Sequence, residues 1–304
     1  MLSFLPGILK GSIAFLLFVI NTVFSCTLIY AVALLKALSP LEKTRLHFSR
    51  VLTLIAENWV SINGGIIRLT QSYNWQVQTD GPLAADKSYM VLANHQSWVD
   101  IVILQWVFNR KIPFLRFFIK KQLFWVPFLG SAWWALDFPF MNRYSSAKLK
   151  KNPSLRGRDF KTVHKSCEKF KQMPTSILIF AEGTRFTAEK HRQSGSEFTN
   201  LLPPKSGGVT TVLEAMGEQF TDLLDVSILY PQGRARFSDL FSGNISEVQV
   251  DVKTYAIPSE VLSADSMKTG EKHNRVKKWL KQIWLAKDKK LSQMRRKEGG
   301  EQMT

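Results

Sequence analysis

The sequence contains few cysteines and few acidic residues for its length. Its 304 residues include two cysteines, Cys26 and Cys167, too few for a disulfide framework or a cysteine-rich zinc site. The 24 Asp and Glu residues against 41 Lys and Arg residues give a formal net charge of +17. This balance favours an anionic partner, which can be nucleic acid, anionic lipid or a phosphorylated substrate. Disorder is excluded, because 45% of the residues are hydrophobic.

Several common catalytic motifs are also missing. The sequence has no Gly-x-Ser-x-Gly elbow, no His-Glu-x-x-His, no P-loop and no Gly-x-Gly-x-x-Gly. The five histidines show no metal-ligand spacing, so we expect no metal and no bound cofactor. No internal repeat or low-complexity linker divides the chain. We predict an N-terminal membrane anchor and helical segment over residues 1–70, followed by one domain over residues 71–304.

The longest uncharged run lies near the N-terminus. As a helix, residues 11–35 would extend roughly 37 Å, enough to cross the hydrocarbon core of a bilayer. A signal peptide is the alternative, since residues 31–33 resemble a cleavage site, but the run is too long for one and basic residues follow it. The basic residues that follow the run are Lys36, Lys43, Arg45 and Arg50. They favour a cytoplasmic location for the carboxyl end of the membrane helix. Residues 51–69 fit either the return arm of a membrane hairpin or the first soluble helix.

Short apolar runs and helical segments alternate along the rest of the chain. Residues 89–93, 176–180 and 226–230 have the length and composition of buried strands, and residues 100–108 fit a helix. Residues 248–252 alternate valine with polar residues, as in a half-buried strand. The alternation predicts an α/β fold with a mixed, largely parallel sheet flanked by helices. In such sheets the chemistry usually lies in loops beyond the carboxyl ends of the strands.

The first of these strands runs into His95, which Asp100 follows five residues later. A turn between strand and helix would bring the two side chains together as a general base and its orienting carboxylate. Asp100 also fits a capping box with Ser97, so a purely structural role in starting the helix stays open. No motif for a Ser or Cys nucleophile accompanies the pair. The hydroxyl that His95 activates would then belong to the substrate, as in direct acyl transfer.

The second strand is followed by Glu182, Gly183, Thr184 and Arg185. An Arg on a glycine-containing turn offers a forked donor to a phosphate group, and a surface salt bridge is the alternative. Glu182 would orient this Arg or organise the turn. The turn is therefore a candidate phosphate-binding site.

Four short blocks together resemble a known family. Residues 94–100 and 182–185 resemble the first and third signature blocks of glycerolipid acyltransferases of the PlsC/lysophosphatidate type. Residues 140–143 resemble the second block, and residues 226–231 resemble the fourth. In overall layout the chain is most similar to the YihG-type acyltransferases of the bacterial inner membrane. This resemblance implies a membrane enzyme with its catalytic domain on the cytoplasmic side.

The resemblance also implies roles for individual residues. His95 and Asp100 would be catalytic, and the implied substrate-binding residues are Lys121, Arg143, Glu182, Gly183, Thr184 and Arg185. The second block departs from the family pattern, with Asp137 at its Gly position and Asn142 at its Asp position. These two changes bear on the choice of acceptor.

The implied reaction moves an acyl chain from acyl-CoA or acyl carrier protein, as thioester co-substrate, to the sn-2 hydroxyl of lysophosphatidic acid. The product would be phosphatidic acid. Lysocardiolipin or lysophosphatidylglycerol is the alternative acceptor, reached by acyl transfer or by transacylation. An anchored nucleic-acid-binding protein is a remote alternative. We therefore expect membrane phospholipid, a lysophospholipid and an acyl donor as partners, and no nucleic acid.

Two further segments fit more than one interpretation. Residues 98–140 contain 13 Phe and Trp residues among basic ones. They would form a membrane-interfacial belt, core packing or a platform for single-stranded nucleic acid. Residues 265–297 contain 12 Lys and Arg against three acids, with apolar residues at helical spacing. This basic amphipathic helix would lie on anionic lipid or dock its apolar stripe on the domain.

Overall fold

The computed structural model describes residues 6–141, 164, 166, 167, 169–262 and 269–301. Its strands are β1 (Asn74–Thr79), β2 (Ser88–Ala93), β3 (Leu115–Phe117), β4 (Ile119–Lys120), β5 (Phe140–Met141), β6 (Ser176–Phe180), β7 (Phe220–Leu229) and β8 (Glu247–Tyr255). Six of them form one sheet in the order β1-β8-β7-β2-β6-β3, and β4 pairs with β5. Neighbouring strands of the large sheet run parallel, except β7 and β8. The predicted mixed, largely parallel sheet is confirmed.

Helices cover both faces of this sheet. They are α1 (Gly7–Leu38), α2 (Glu42–Thr70), α3 (Val99–Phe108), α4 (Leu129–Ala135), α5 (Ala188–Ser194), α6 (Ser206–Met216), α7 (Asp239–Ser242), α8 (Ser259–Leu262) and α9 (Thr269–Glu301). In β2, Met90 and Leu92 face a core shared with α6 and α9, whereas Tyr89, Val91 and Ala93 face a core shared with α2 and α3. Because both faces are covered, the central strands are apolar runs.

The strand predicted at residues 226–230 is longer and lies earlier than expected. It begins at Phe220 and ends at Leu229, so Tyr230 lies beyond it. Asp222 and Asp225 interrupt the apolar pattern of its first half. Asp225 is nevertheless buried, because it forms an ion pair with a lysine of α9 that is distant in the sequence. A local hydropathy pattern does not reveal such compensation.

The two N-terminal helices form a hairpin. A three-residue connection joins α1 to α2, which runs back along α1. Asn21 of α1 and Asn63 of α2 form a hydrogen bond between the two helices, in which Nδ2 of Asn21 donates to Oδ1 of Asn63 at 2.8 Å. α1 has 32 residues and is long and apolar enough to cross a membrane, by length and composition. It is therefore a candidate membrane anchor. Residues 51–69 belong to the returning helix α2, which begins earlier than predicted, at Glu42.

The C-terminal helix α9 docks on the domain. Its apolar residues at helical spacing, which include Val276, Leu280, Ile283 and Leu291, are all buried in the core beneath the sheet. Of the two interpretations of this helix, the structure therefore shows the second. Its apolar stripe packs against protein, and many of its lysines and arginines face solvent.

Candidate active site

Three parallel strands end at the same edge of the sheet. β2, β6 and β7 are neighbours, and each leads directly into a polar segment. These segments carry His95 after β2, Glu182 after β6 and Tyr230 after β7. The carboxyl edge of a parallel sheet is the usual location of chemistry in α/β folds.

His95 and Asp100 lie within hydrogen-bonding distance in the turn between β2 and α3. Nδ1 of His95 is 2.9 Å from Oδ2 of Asp100, whose side chain is fully buried. Paired with a carboxylate, Nδ1 carries the ring proton, which leaves Nε2 as the acceptor. His95 lines a cavity, so Nε2 is the nitrogen available to a substrate hydroxyl. The turn thus brings together the two side chains that the sequence suggested as a base and its orienting carboxylate.

Asp100 also holds the turn itself. Its Oδ2 accepts hydrogen bonds from the backbone N–H groups of Gln96 at 2.6 Å and Ser97 at 2.9 Å. Its Oδ1 accepts one from the hydroxyl of Tyr230 at 2.7 Å. Burial, followed by the nearby charge of Asp100, raises the pKa of Tyr230 well above its ordinary value, so the hydroxyl stays protonated. Capping and orientation of His95 therefore coexist in one carboxylate.

The imidazole ring of His95 is also held from its face. It stacks on the ring of Phe180, with centroids 3.9 Å apart and planes inclined by 19°. The carbonyl oxygen of His95 accepts a hydrogen bond from the backbone N–H of Phe186 at 2.6 Å. The turn after β2 and the loop after β6 are thereby joined.

Glu182 links three loops beneath the site. Its Oε1 accepts from the backbone N–H of His95 at 2.8 Å and its Oε2 from that of Leu202 at 3.0 Å. Burial raises the pKa of this carboxyl to about 7, against the lowering effect of the two N–H groups and of Lys287. These contacts tie the turn after β6 to the turn after β2 and to the loop at Leu202.

Gly183, Thr184 and Arg185 line the same cavity as His95. Gly183 has a φ of +69°, a left-handed conformation that favours glycine. The guanidinium of Arg185 lies over the ring of Trp98, 5.2 Å from its centroid, which orients it by a cation–π contact. The turn after β6 thus presents a basic group beside the candidate base.

The cavity has a volume of about 1000 Å³ and a mostly apolar wall. Basic groups that line it beside Arg185 are Lys120 and Lys205. The apolar part of the wall comes from α1, α2, α3 and β6, and from residues 117–138. Many aromatic residues of the Phe- and Trp-rich segment therefore line this cavity, whereas Trp125 and Trp134 are exposed.

Comparison with known proteins identifies the family. A model of the family described as Acyltransferase matches residues 74–230, which is just over half of the chain. The matched region contains β2, β6 and β7, the three strands whose carboxyl ends form the catalytic edge of the sheet. The chain belongs to the acyltransferase family.

Two curated acyltransferases that match this chain are distant relatives of it. The chain is 24% identical over 218 residues to 1-acyl-sn-glycerol-3-phosphate acyltransferase 3 of Arabidopsis thaliana, covering 66% of this chain and 52% of that protein. It is 34% identical over 124 residues to 1-acyl-sn-glycerol-3-phosphate acyltransferase of Saccharomyces cerevisiae, covering 40% of this chain and 34% of that protein. The chain thus spans about half the length, or less, of these curated relatives.

A solved acyltransferase has the same fold. The crystal structure of the 1-acyl-sn-glycerophosphate acyltransferase PlsC from Thermotoga maritima superposes with a TM-score of 0.53 at 18% identity. The alignment covers 93% of this chain and 98% of that one. At this identity the likeness supports the architecture alone.

Two residues that the acyltransferase resemblance singled out are not among the described residues that line the cavity. Lys121 is exposed at the start of a 3-10 helix, Lys121–Trp125, and does not line the cavity, whereas the preceding Lys120 does. Arg143 lies outside the described residues, as does Asn142. The binding roles of Lys121 and Arg143 stay predictions.

Asp137 stands at the Gly position of the second acyltransferase block. Its φ is +62°, so the backbone there has the left-handed conformation that glycine adopts most easily. Asp tolerates this conformation better than most residues. Its carboxylate forms an ion pair of 2.8 Å with Lys36 of α1. The substitution therefore keeps the turn and ties it to the N-terminal hairpin.

Sequence reasoning missed several residues of this acyltransferase site. The roles of Tyr230, Lys120, Lys205 and Lys287 were not predicted. Tyr230 stands within residues 226–231, which resemble the fourth family block, and this position was the available signal. Lys287 gave no local signal, because it is one lysine among many in a basic helix.

Proposed function

We propose that the protein is a membrane-bound 1-acyl-sn-glycerol-3-phosphate acyltransferase. The observation that carries the proposal is that His95, paired with the buried Asp100 at 2.9 Å, lines one cavity with Arg185. The names of the relatives support the same reaction. The candidate membrane anchor α1 supports attachment to a membrane, which we propose is a bacterial inner membrane with the domain on the cytoplasmic side.

In this mechanism His95 acts as a general base on the substrate. Nε2 takes the proton of the sn-2 hydroxyl, and the oxygen attacks the carbonyl carbon of a thioester. The carbon–sulfur bond then breaks, and the imidazolium returns its proton to the leaving thiolate. Asp100 stabilises the imidazolium between the two transfers. The thioester of acyl-CoA or acyl carrier protein serves as co-substrate, and the reaction needs no bound cofactor.

The basic groups at the cavity fit the phosphate of the acceptor. Arg185 offers a forked donor, and its guanidinium lies over the ring of Trp98. Lys120 and Lys205 line the same cavity and add positive charge. A phosphate held there would bring the acceptor beside His95, which supports direct transfer through proximity.

Replacing Arg185 by Ala is expected to lower kcat/KM for lysophosphatidate about 10- to 100-fold, because charge-assisted hydrogen bonds contribute about 1.5–3 kcal/mol. Transfer of radiolabelled acyl-CoA to lysophosphatidate measures the effect. Arg192→Ala is the matched control, since Arg192 is exposed on α5 and does not line the cavity. An unchanged kcat/KM in Arg185→Ala would remove Arg185 from phosphate binding.

The apolar wall of the cavity fits an acyl chain. Gly64 of α2 lines it, and a Cβ atom there would collide with Nε1 of Trp106. Trp106 packs against the ring of Trp75, 4.1 Å between centroids, and under the guanidinium of Arg68. A side chain at residue 64 therefore displaces a well-packed ring and fills cavity space.

Gly64→Leu is expected to shift acyl-donor preference toward shorter chains, by about tenfold or more, since each methylene in an apolar pocket counts for about 1–3 kcal/mol. The ratio of kcat/KM for long and short acyl-CoA measures the shift. Gly65→Leu is the matched control, because Gly65 is exposed and a Cβ atom added there would have no neighbour within 4 Å. Equal ratios in both variants would contradict an acyl chain at this wall.

Purified full-length protein, assayed in vesicles with radiolabelled acyl-CoA, tests the proposal. Lysophosphatidate, lysocardiolipin and lysophosphatidylglycerol are supplied separately as acceptors, and acyl carrier protein is compared with CoA as donor. We expect phosphatidic acid as the main product. Preference for another lysophospholipid would keep the mechanism and replace the acceptor.

A further inference from the structure

The C-terminal helix α9 contacts the catalytic edge with one face. Trp284, Lys287 and Asp288, spaced as neighbours on a helix surface, contact backbone groups of β2, β7 and the 199–202 loop. This helix lies beyond residues 74–230, which the family model matches. The contacts of this helix with the site are therefore features of this chain outside the matched region.

Lys287 joins the two strands that hold the site. Its side chain is fully buried, and Nζ donates to the carbonyl oxygens of Leu92 at 3.1 Å and Val226 at 2.5 Å. The same ammonium forms an ion pair with Asp225 at 2.7 Å. Leu92 in β2 is three residues before His95, and Val226 in β7 is four residues before Tyr230. Lys287 thus bridges the backbones of the two paired strands that carry both sides of the site.

Trp284 and Asp288 hold the loop that supports Glu182. Nε1 of Trp284 donates to the carbonyl oxygen of Leu202 at 3.1 Å. The carboxylate of Asp288 accepts from the backbone N–H groups of Thr199 at 2.9 Å and Asn200 at 2.7 Å. The N–H of Leu202 in turn donates to Glu182. A continuous chain of contacts therefore runs from α9 through the loop and Glu182 to the backbone of His95.

From these contacts we infer that α9 belongs to the catalytic apparatus, with Trp284 and Lys287 as positioning residues for His95. They act through Leu92, Val226 and the Leu202–Glu182 contact. The kinetic test of this inference rests on the proposed acyl transfer. The positioning of His95 by α9 rests on the contacts described above. Because a small misplacement of a catalytic group can lower the rate about 10²-fold, loss of either contact is expected to affect kcat.

Lys287 also acts on the charge of Glu182. The charges that act on this carboxyl are Lys287 from α9, which favours its ionised form, and Asp100 from α3, which opposes it. Only the ionised carboxylate has both oxygens free to accept from His95 and Leu202. Removing the ammonium raises the pKa of Glu182 further, so the acidic limb of the activity profile moves to higher pH.

Two variants test the inference, with one control. Trp284→Phe removes the indole N–H and keeps most of the ring, and Lys287→Met combined with Asp225→Asn removes the ion pair without leaving a lone charge. Lys281→Met is the control, since Lys281 lies exposed on the same helix and pairs with the exposed Glu197. Circular dichroism establishes folding. Kinetics and amide hydrogen exchange over residues 94–97, 182–186 and 199–202 are then compared.

We expect a fall in kcat of about tenfold or more in both variants, with KM for lysophosphatidate changed less. The acidic limb moves to higher pH only in the double variant, and amide exchange at residues 94–97 and 182–186 becomes faster in both. The control matches the parent protein. If both variants fold with unchanged kcat, pH profile and exchange at these residues, α9 is only a structural support and the inference is wrong.

The exchange readout separates this inference from the proposed function. If the parent protein transfers no acyl chain to lysophosphatidate, the proposed function fails, and faster exchange around His95 in the variants still supports positioning by α9. If the parent is active and both variants keep its kcat, pH profile and exchange, the positioning role fails alone.

Discussion

Replacing His95 by Ala is expected to lower kcat/KM for acyl transfer about 10²- to 10⁴-fold, the contribution typical of a positioned general base. The loss follows from the geometry, in which Nδ1 is held by Asp100 and Nε2 is left to accept the substrate proton. The backbone contacts of His95 with Glu182 and Phe186 do not involve the side chain. The variant should therefore fold, which circular dichroism checks.

The same assay needs a control that removes a histidine elsewhere. His47→Ala serves this purpose, because His47 is exposed on α2 and does not line the cavity. We expect it to retain parental kcat/KM with radiolabelled acyl-CoA and lysophosphatidate. Normal transfer by His95→Ala would overturn the general-base mechanism. Salt-sensitive oligonucleotide binding that survives His95→Ala would instead favour the nucleic-acid alternative.

The parts of the site that the sequence could predict are local. His95 and Asp100 are five residues apart, and a strand end followed by a helix start is visible in the hydropathy pattern. Gly183 likewise marks a left-handed turn that follows a recognisable strand. Such features depend on backbone conformation over a few residues, which residue type largely determines.

The supports of the site are long-range contacts that no local pattern contains. Tyr230 reaches Asp100 across 130 residues, and Glu182 reaches the backbone of His95 across 87. The choice between Lys120 and Lys121 also depends on tertiary structure. A strand ends at the first and a 3-10 helix begins at the second, so adjacent lysines have different surroundings.

The side on which α9 docks also could not be predicted from the local sequence pattern of an amphipathic helix. An apolar stripe opposite a basic face fits a helix on anionic lipid and a helix docked on protein equally well. The outcome depends on whether a complementary apolar surface exists on the domain, here the face of the sheet that carries Met90 and Leu92. Lys287 lies on the docked side, where hydropathy alone would not place a lysine.

Lys287→Met alone is expected to lower the free energy of unfolding by about 3–5 kcal/mol, because removing one partner of a buried ion pair leaves the other charge unpaired. Asp225 is 2% exposed, and it would remain as an uncompensated carboxylate in β7. The carbonyl oxygens of Leu92 and Val226 would also lose a charged donor. Denaturant unfolding in detergent, followed by circular dichroism, measures the change.

The double variant with Asp225→Asn separates the unpaired charge from lost packing. With neither charge of this pair left in the core, most of the lost stability should return, since neutral replacement of a buried pair is often tolerated. Lys281→Met, which breaks a pair exposed at both ends, should cost only about 0–1 kcal/mol. If Lys287→Met were as stable as Lys281→Met, the buried pair would not anchor α9. The connection of that helix to the site would then rest on its other contacts, which include those of Trp284, Asp288 and Ser292 with the loop at residues 199–202.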